Sequence, residues 1–139
     1  MEEASAKNRE ELAWAAGFID GEGCFGFYTY TQRSKPTLYG MLKLDVSQAN
    51  REPLDRLQKA LGVGHVTGPH KRKNPKWAPI YHLQVYGIVD ILIVVEALSP
   101  WLCSIKRTQV ADAITAYNAW DAVPNRPKRA SNKRHKEAA

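Results

Sequence analysis

Residues 12–25 read LAWAAGFIDGEGCF. Leu12, Ala15, Ala16 and Ile19 recur at i, i+3, i+4 and i+7, the spacing of one face of an α-helix. Asp20, Gly21, Glu22 and Gly23 follow, and the chain passes directly into an alternating stretch at Cys24 and Phe25. Glycine supplies helix-ending conformations, so the spacing predicts a helix over 4–19 that stops as Gly21 and Gly23 arrive. Asp20 and Glu22 thereby sit at the C-terminal end of a helix, where the macrodipole disfavours negative charge. A cation would offset that cost, and Mg2+ binds hard oxygens with one or two carboxylates plus waters and phosphate. The same residues also read as two solvated acids in a plain helix-to-strand turn. On the same helix Ala13, Gly17 and Gly21 recur every four residues and form a stripe of small side chains. Such a stripe serves internal packing, or lets a helix cross its own copy on a two-fold axis.

Working outward, Phe25 and Phe27 alternate with Gly26, Tyr28 and Tyr30, which predicts a strand over 24–31. Leu38, Leu42, Leu44 and Val46 alternate with Tyr39, Met41, Lys43 and Asp45, a second strand over 38–47. Ser34, Lys35 and Pro36 mark the connection as a loop. Leu54, Leu57 and Leu61 form the apolar stripe of a short helix over 52–61, with Asn50 as its N-cap and Gly62 and Gly64 as its stop. Two more strands, 65–69 and 78–86, flank a loop at 70–77 rich in Lys, Asn and Pro. Two helices, 87–98 and 105–120, are divided by Ser99 and Pro100. No internal repeat is evident. The result is an α+β domain over 1–123, an antiparallel sheet with helices on its apolar face. Residues 124–139 form a basic tail, almost without large apolar side chains and expected to be disordered.

The other sheet face would carry Tyr28, Tyr30, Gln32, Tyr39, Met41, Lys43, His82, Gln84 and Tyr86. Water-facing strands more often carry Thr, Lys and Glu. Tyrosine, amide and cationic groups together suit hydrogen bonding to bases and phosphates. Charge points the same way. Residues 33–76 hold ten basic and three acidic side chains, net +7, and residues 124–139 hold six and one, net +5. Residues 1–32, by contrast, hold two basic and six acidic, net −4. Positive charge blocked into segments suggests a polyanion as partner, and Arg33, Lys35, Lys71 and Arg72 join the candidate contacts.

Other classes are excluded. No apolar run approaches a membrane span; the longest, over 88–95, is interrupted by Asp90. The first eleven residues carry four glutamates, wrong for a secretory or transit signal, so the chain is expected to work in the compartment where it is made. Two cysteines, Cys24 and Cys103, are too few for a disulfide scaffold. Neither they nor the four histidines take zinc-site or HNH-nuclease spacing. No small-molecule cofactor is implied.

Residues 15–23, AAGFIDGEG, resemble the LAGLIDADG motif, with Ala15 for leucine, Phe18 for leucine, Gly21 for alanine and Glu22 for aspartate. The α-β-β-α-β-β-α order is similar to the fold of LAGLIDADG homing endonucleases, whose saddle-shaped sheet lies over the DNA major groove. The resemblance implies a sequence-specific double-strand DNA endonuclease. Glu22, with the Gly21 carbonyl, would bind catalytic Mg2+ or Mn2+. Gln48, at the end of the second strand, would order water, and Lys106 would lie near the scissile phosphate. One motif per chain implies a homodimer joined through Ala13, Gly17 and Gly21, and a nearly palindromic target cut with short 3′ overhangs. A non-cleaving member, either a DNA-binding regulator or an RNA-splicing maturase, is the alternative.

Overall fold

The computed structural model describes residues 2–32 and 35–124. The elements follow the expected order: α1 (Glu2–Glu22), β1 (Gly23–Gln32), β2 (Lys35–Gln48), α2 (Glu52–Leu61), β3 (His65–His70), β4 (Ile80–Tyr86), α3 (Ile88–Leu98) and α4 (Ser104–Asp121). Arg33, the side chain of Lys35 and the tail beyond residue 124 lie outside the described residues. The four strands form one antiparallel sheet in the order β1-β2-β4-β3.

Strand alternation sets the two faces. Phe25 pairs with Leu44 and Phe27 with Leu42, while Leu44 pairs with Val85 and Val46 with Leu83. These residues meet Ala15, Ala16 and Ile19 of α1, Leu54, Leu57 and Leu61 of α2, Ile91, Val94 and Leu98 of α3, and Val110, Ala113 and Tyr117 of α4. Ile19, Leu44, Leu54, Leu83 and Ile91 are fully buried. Each such side chain stabilises the fold by roughly 1.5–3 kcal/mol. The helices therefore cover one face, and the nine residues expected on the other face have the opposite parity.

Three local expectations are corrected. First, α1 does not stop at residue 19 but runs through Glu22. The glycines with positive φ are Gly62, Gly64, Gly68 and Gly87, so neither Gly21 nor Gly23 acts as a left-handed cap. Gly23 serves close approach instead: a Cβ there would lie 2.9 Å from Ile19 Cγ2 and 3.0 Å from the Ile19 carbonyl oxygen. Its absence lets β1 start hard against the last turn of α1. Second, α2 is entered through Arg51 rather than Asn50, with no side-chain cap. Pro53 supplies a fixed φ in the first turn, and the Arg51 guanidinium pairs with Asp55 at 3.2 Å. Third, Lys35 and Pro36 belong to β2, not to a loop. They lie in the part of β2 that β4 does not reach, where proline is tolerated.

Candidate active site and nucleic-acid interface

The end of α1, the start of β1 and the first turns of α4 converge. Asp20 and Glu22, alike in sequence position, have different surroundings. Both carboxylate oxygens of Asp20 face the backbone N–H of Cys103, at 3.1 and 3.3 Å. Cys103 is the N-cap of α4 and provides no side-chain cap of its own. Asp20 supplies it from 83 residues away, so the positive end of α4 offsets the charge that the negative end of α1 disfavours. The cation inferred for the pair is, for Asp20, a helix terminus. Glu22 is the last residue of α1, is exposed, and has no hydrogen bond or ion pair among the described residues.

Lys106 is brought to the same point. Its half-buried ammonium donates to the carbonyl of Gly23, the residue after Glu22, and lies 3.5 Å from Gln109 Oε1. Gln109 Oε1 also accepts the Phe25 N–H at 2.9 Å. β1 is an edge strand, so this outward N–H finds a side chain of α4 instead of a neighbouring strand. Gln109 thus ties α4 to β1 and holds Lys106 beside Glu22. Its i+3 spacing from Lys106 was visible in the sequence, but its acceptor role was not. Gln109→Ala leaves that donor unsatisfied and is expected to lower the free energy of unfolding by about 1–3 kcal/mol. Gln109→Glu keeps an acceptor and most of the stability. A urea titration of the three proteins checks this; equal midpoints would remove Gln109 from the clamp.

Gln48 ends β2, two residues beyond Val46, which pairs with Gly23. It pairs with Tyr81 on the helix-side parity, and its side chain makes no hydrogen bond among the described residues. The structure thus places Gln48 near the end of the motif without joining it to Glu22. Among the described residues no three His, Cys, Asp or Glu side chains gather into a metal-binding group. At the end of α1 the described residues offer one free carboxylate, Glu22, which suits an ion that keeps most of its waters, such as Mg2+, better than a closed zinc site.

The open sheet face is polar and cross-linked. Tyr30 stacks on Tyr39 at 5.4 Å between centroids, which leaves Tyr39 buried. The Lys43 ammonium lies 5.0 Å from the ring centroid of Tyr28. Gln32 is exposed and Met41 half-buried. His82 Nδ1 contacts Ser47 Oγ at 3.1 Å and Asp45 Oδ1 at 2.9 Å. No local pattern singles out Asp45 or Ser47, because their partner His82 comes from another strand. Beyond the sheet, Lys71 and Arg72 are exposed on the β3–β4 connection, with the Arg72 guanidinium 4.9 Å from the Trp77 ring.

On the far side of α1, Gly17 and Gly21 are exposed and Ala13 half-buried, and a Cβ built on either glycine meets nothing within 4 Å. The chain itself therefore gives no packing reason for the small-residue stripe. Beside it runs a groove of about 570 Å³ between α1 and α2, lined by Trp14, Phe18, Pro53 and Arg56 among others.

Comparison with known proteins places this arrangement. The structure is similar to the homing endonuclease I-CvuI, crystallised with the I-CreI target in the presence of Mg with its DNA not cleaved, at TM-score 0.63 and 26% identity over 76% of this chain. It is also similar to I-CvuI with its own target in the presence of Ca, at TM-score 0.62 and 25% identity over the same share. The homing endonuclease I-TnaI matches at TM-score 0.59 and 25% identity, over 75% of this chain and 69% of its own. The match spans 64% of the length of I-CvuI. No curated protein matches the sequence. The model of the LAGLIDADG endonuclease family matches residues 15–109, from the second half of α1 to the glutamine that clamps Lys106, and the chain belongs to that family.

Proposed function

We propose that the chain is a sequence-specific DNA endonuclease that works as a homodimer and hydrolyses phosphodiester bonds with a divalent metal. One observation carries this reading: a free, exposed carboxylate, Glu22, ends α1 while Lys106 is anchored on the next residue, at the margin of a polar and cationic sheet face. The solved complexes of I-CvuI with DNA, in Mg and in Ca, support it. Glu22 and the Gly21 carbonyl would hold Mg2+ or Mn2+. When bound, such an ion supplies Lewis-acid activation of water and stabilises the leaving oxygen. Lys106 contributes a positive charge toward the scissile phosphate, and Gln48 an amide that orders water. The open face, with Tyr28, Tyr30, Gln32, Tyr39, Met41, Lys43, His82 and Gln84, would meet double-stranded DNA. Arg33, Lys35, Lys71 and Arg72 would add phosphate contacts.

The test is selection of a bound site from a random duplex library, followed by a cleavage assay on that site with Mg2+, with Ca2+ and with chelator. Mg2+-dependent double-strand cutting is the expected result; binding without cutting under every metal would make the chain a binding protein. Within this reading the tail, residues 124–139, adds affinity without specificity. Its composition, six cations with almost no large apolar side chains, suits contacts to phosphates rather than to base edges. Each phosphate neutralised contributes about 0.9 to the slope of log K against log salt. Removing the tail is therefore expected to flatten that slope by several units and to leave the cleavage site unchanged. A new cut position after truncation would show that the tail reads sequence.

A further inference from the structure

Among the described residues the open sheet face carries one carboxylate, Asp45, in the middle strand β2. A carboxylate that faces a polyanion costs affinity, and the surroundings of Asp45 show what it gives in return. Its Oδ1 contacts His82 Nδ1 at 2.9 Å, and its Oδ2 accepts from Gln84 Nε2 at 3.3 Å and lies 3.9 Å from Lys43 Nζ. Asp45 and Gln84 are direct partners across the β2–β4 ladder. Gln84 is also held at its other end, where the Tyr86 hydroxyl donates to Oε1 at 2.6 Å. Burial, and then the charge of Asp45, push the Tyr86 phenol above its ordinary range, so it remains a protonated donor at neutral pH. A half-turn normally exchanges the two ends of an amide. Here one end meets an acceptor and the other a donor, so one orientation alone satisfies both. Nε2 then keeps one N–H and Oε1 one lone pair.

We propose that Asp45 is a positioning residue for specificity: with Tyr86 it fixes the Gln84 amide so that Gln84 reads adenine in the major groove, once in each half-site. The proposal rests on the DNA-cutting dimer described above. Adenine presents the N7 acceptor and the N6 donor side by side, and a glutamine amide meets them with one N–H and one oxygen. A turned amide sets donor against donor and acceptor against acceptor. Guanine offers two acceptors at the same edge and leaves the oxygen of Gln84 without a donor. The His82 contact and the nearby Lys43 charge keep the Asp45 carboxylate from repelling the phosphates.

The experiment uses the full chain in Ca2+. The preferred duplex is selected from a random library, and affinity is then measured for every single-base variant of it. The parent is expected to prefer adenine at one position of each half-site by about 5- to 150-fold. Gln84→Ala should abolish that preference at that position alone. Asp45→Ala should lose most of it at the same position. Asp45→Asn, whose carbonyl still accepts from Gln84, should retain it, a rescue that a merely structural role does not predict. If Asp45→Ala does not fold, Tyr86→Phe removes the other tether and should relax the same position. A selective parent whose Asp45→Ala and Tyr86→Phe variants keep its preference, or weaken on all sequences alike, overturns the proposal while the endonuclease reading stands. A Gln84→Ala effect at a position where the parent does not favour adenine overturns it too. A parent that binds no duplex selectively overturns the endonuclease reading and this proposal with it.

Discussion

Glu22→Gln is expected to bind its target as tightly as the parent and to lose cleavage by at least about three orders of magnitude, some 4 kcal/mol of transition-state stabilisation. The substitution keeps the length and polarity of the side chain and removes its charge. Nothing in the fold depends on that charge, since Glu22 is exposed and has no hydrogen bond or ion pair among the described residues. Stability should therefore be unchanged. The loss falls on the group that would hold a divalent ion, and without that ion water is a poor nucleophile near neutral pH. In the proposed function binding would rest on the sheet face and the basic segments, which the change leaves alone. Removing a carboxylate next to phosphate takes away a repulsion and so tightens binding rather than weakening it. Asp20→Ala is the control with the opposite signature. Asp20 caps α4 through Cys103, so removing that acceptor should cost stability, about 0.5–2 kcal/mol. The assay is a gel shift and a cleavage time course on one labelled duplex in Mg2+ and Ca2+, with a thermal melt of each variant. Full cutting by Glu22→Gln would remove Glu22 from the chemistry.

The contrast between the two acids marks how far the sequence could be read. Helix and strand periodicity are local, so the element order and the sheet faces were legible. Alternation of Phe25 and Phe27 with Tyr28 and Tyr30 sets the register of β1, and a one-residue slip would have turned every side chain over. The motif in residues 15–23 likewise announced the family. What stayed hidden depends on contacts between distant elements. Asp20 and Cys103 stand 83 residues apart, as do Lys106 and Gly23, and no local pattern encodes either pair. Asp45 carries no local signal either, because its partners, His82 and Gln84, come from another strand. Boundaries failed for a related reason. Gly21 and Gly23 resembled a helix stop, but Gly23 is there for close approach to Ile19, which only the packed structure shows.

Gly17→Leu is expected to turn a dimer into a monomer without disturbing the fold of the chain. A Cβ at residue 17 meets nothing within 4 Å and the position is exposed, so a larger side chain points into space left free by the subunit's own atoms. Within one chain the glycine is a cost: glycine inside a helix is roughly 0.5–1 kcal/mol less favourable than alanine. Gly21 adds a second such cost, since it too lies inside α1. Two exposed helical glycines on one face are explained if a second α1 crosses there, with the backbones in close contact. A leucine at residue 17 would enter that contact twice, once from each subunit. Overpacking costs about 1–3 kcal/mol per site, so two sites should weaken association by roughly 30- to 20,000-fold. Sedimentation at micromolar concentration should give a dimer for the parent and a monomer for Gly17→Leu, with thermal unfolding of the variant still cooperative. Double-strand cutting should disappear with the dimer, because in the proposed function each subunit would contribute one Glu22. Gly17→Ala separates the two effects by sign: a monomer would gain stability from the better helix former, whereas a dimer held at this face would lose affinity. A parent that sediments as a monomer, or a Gly17→Leu protein that still pairs, would place the partner surface elsewhere than on α1.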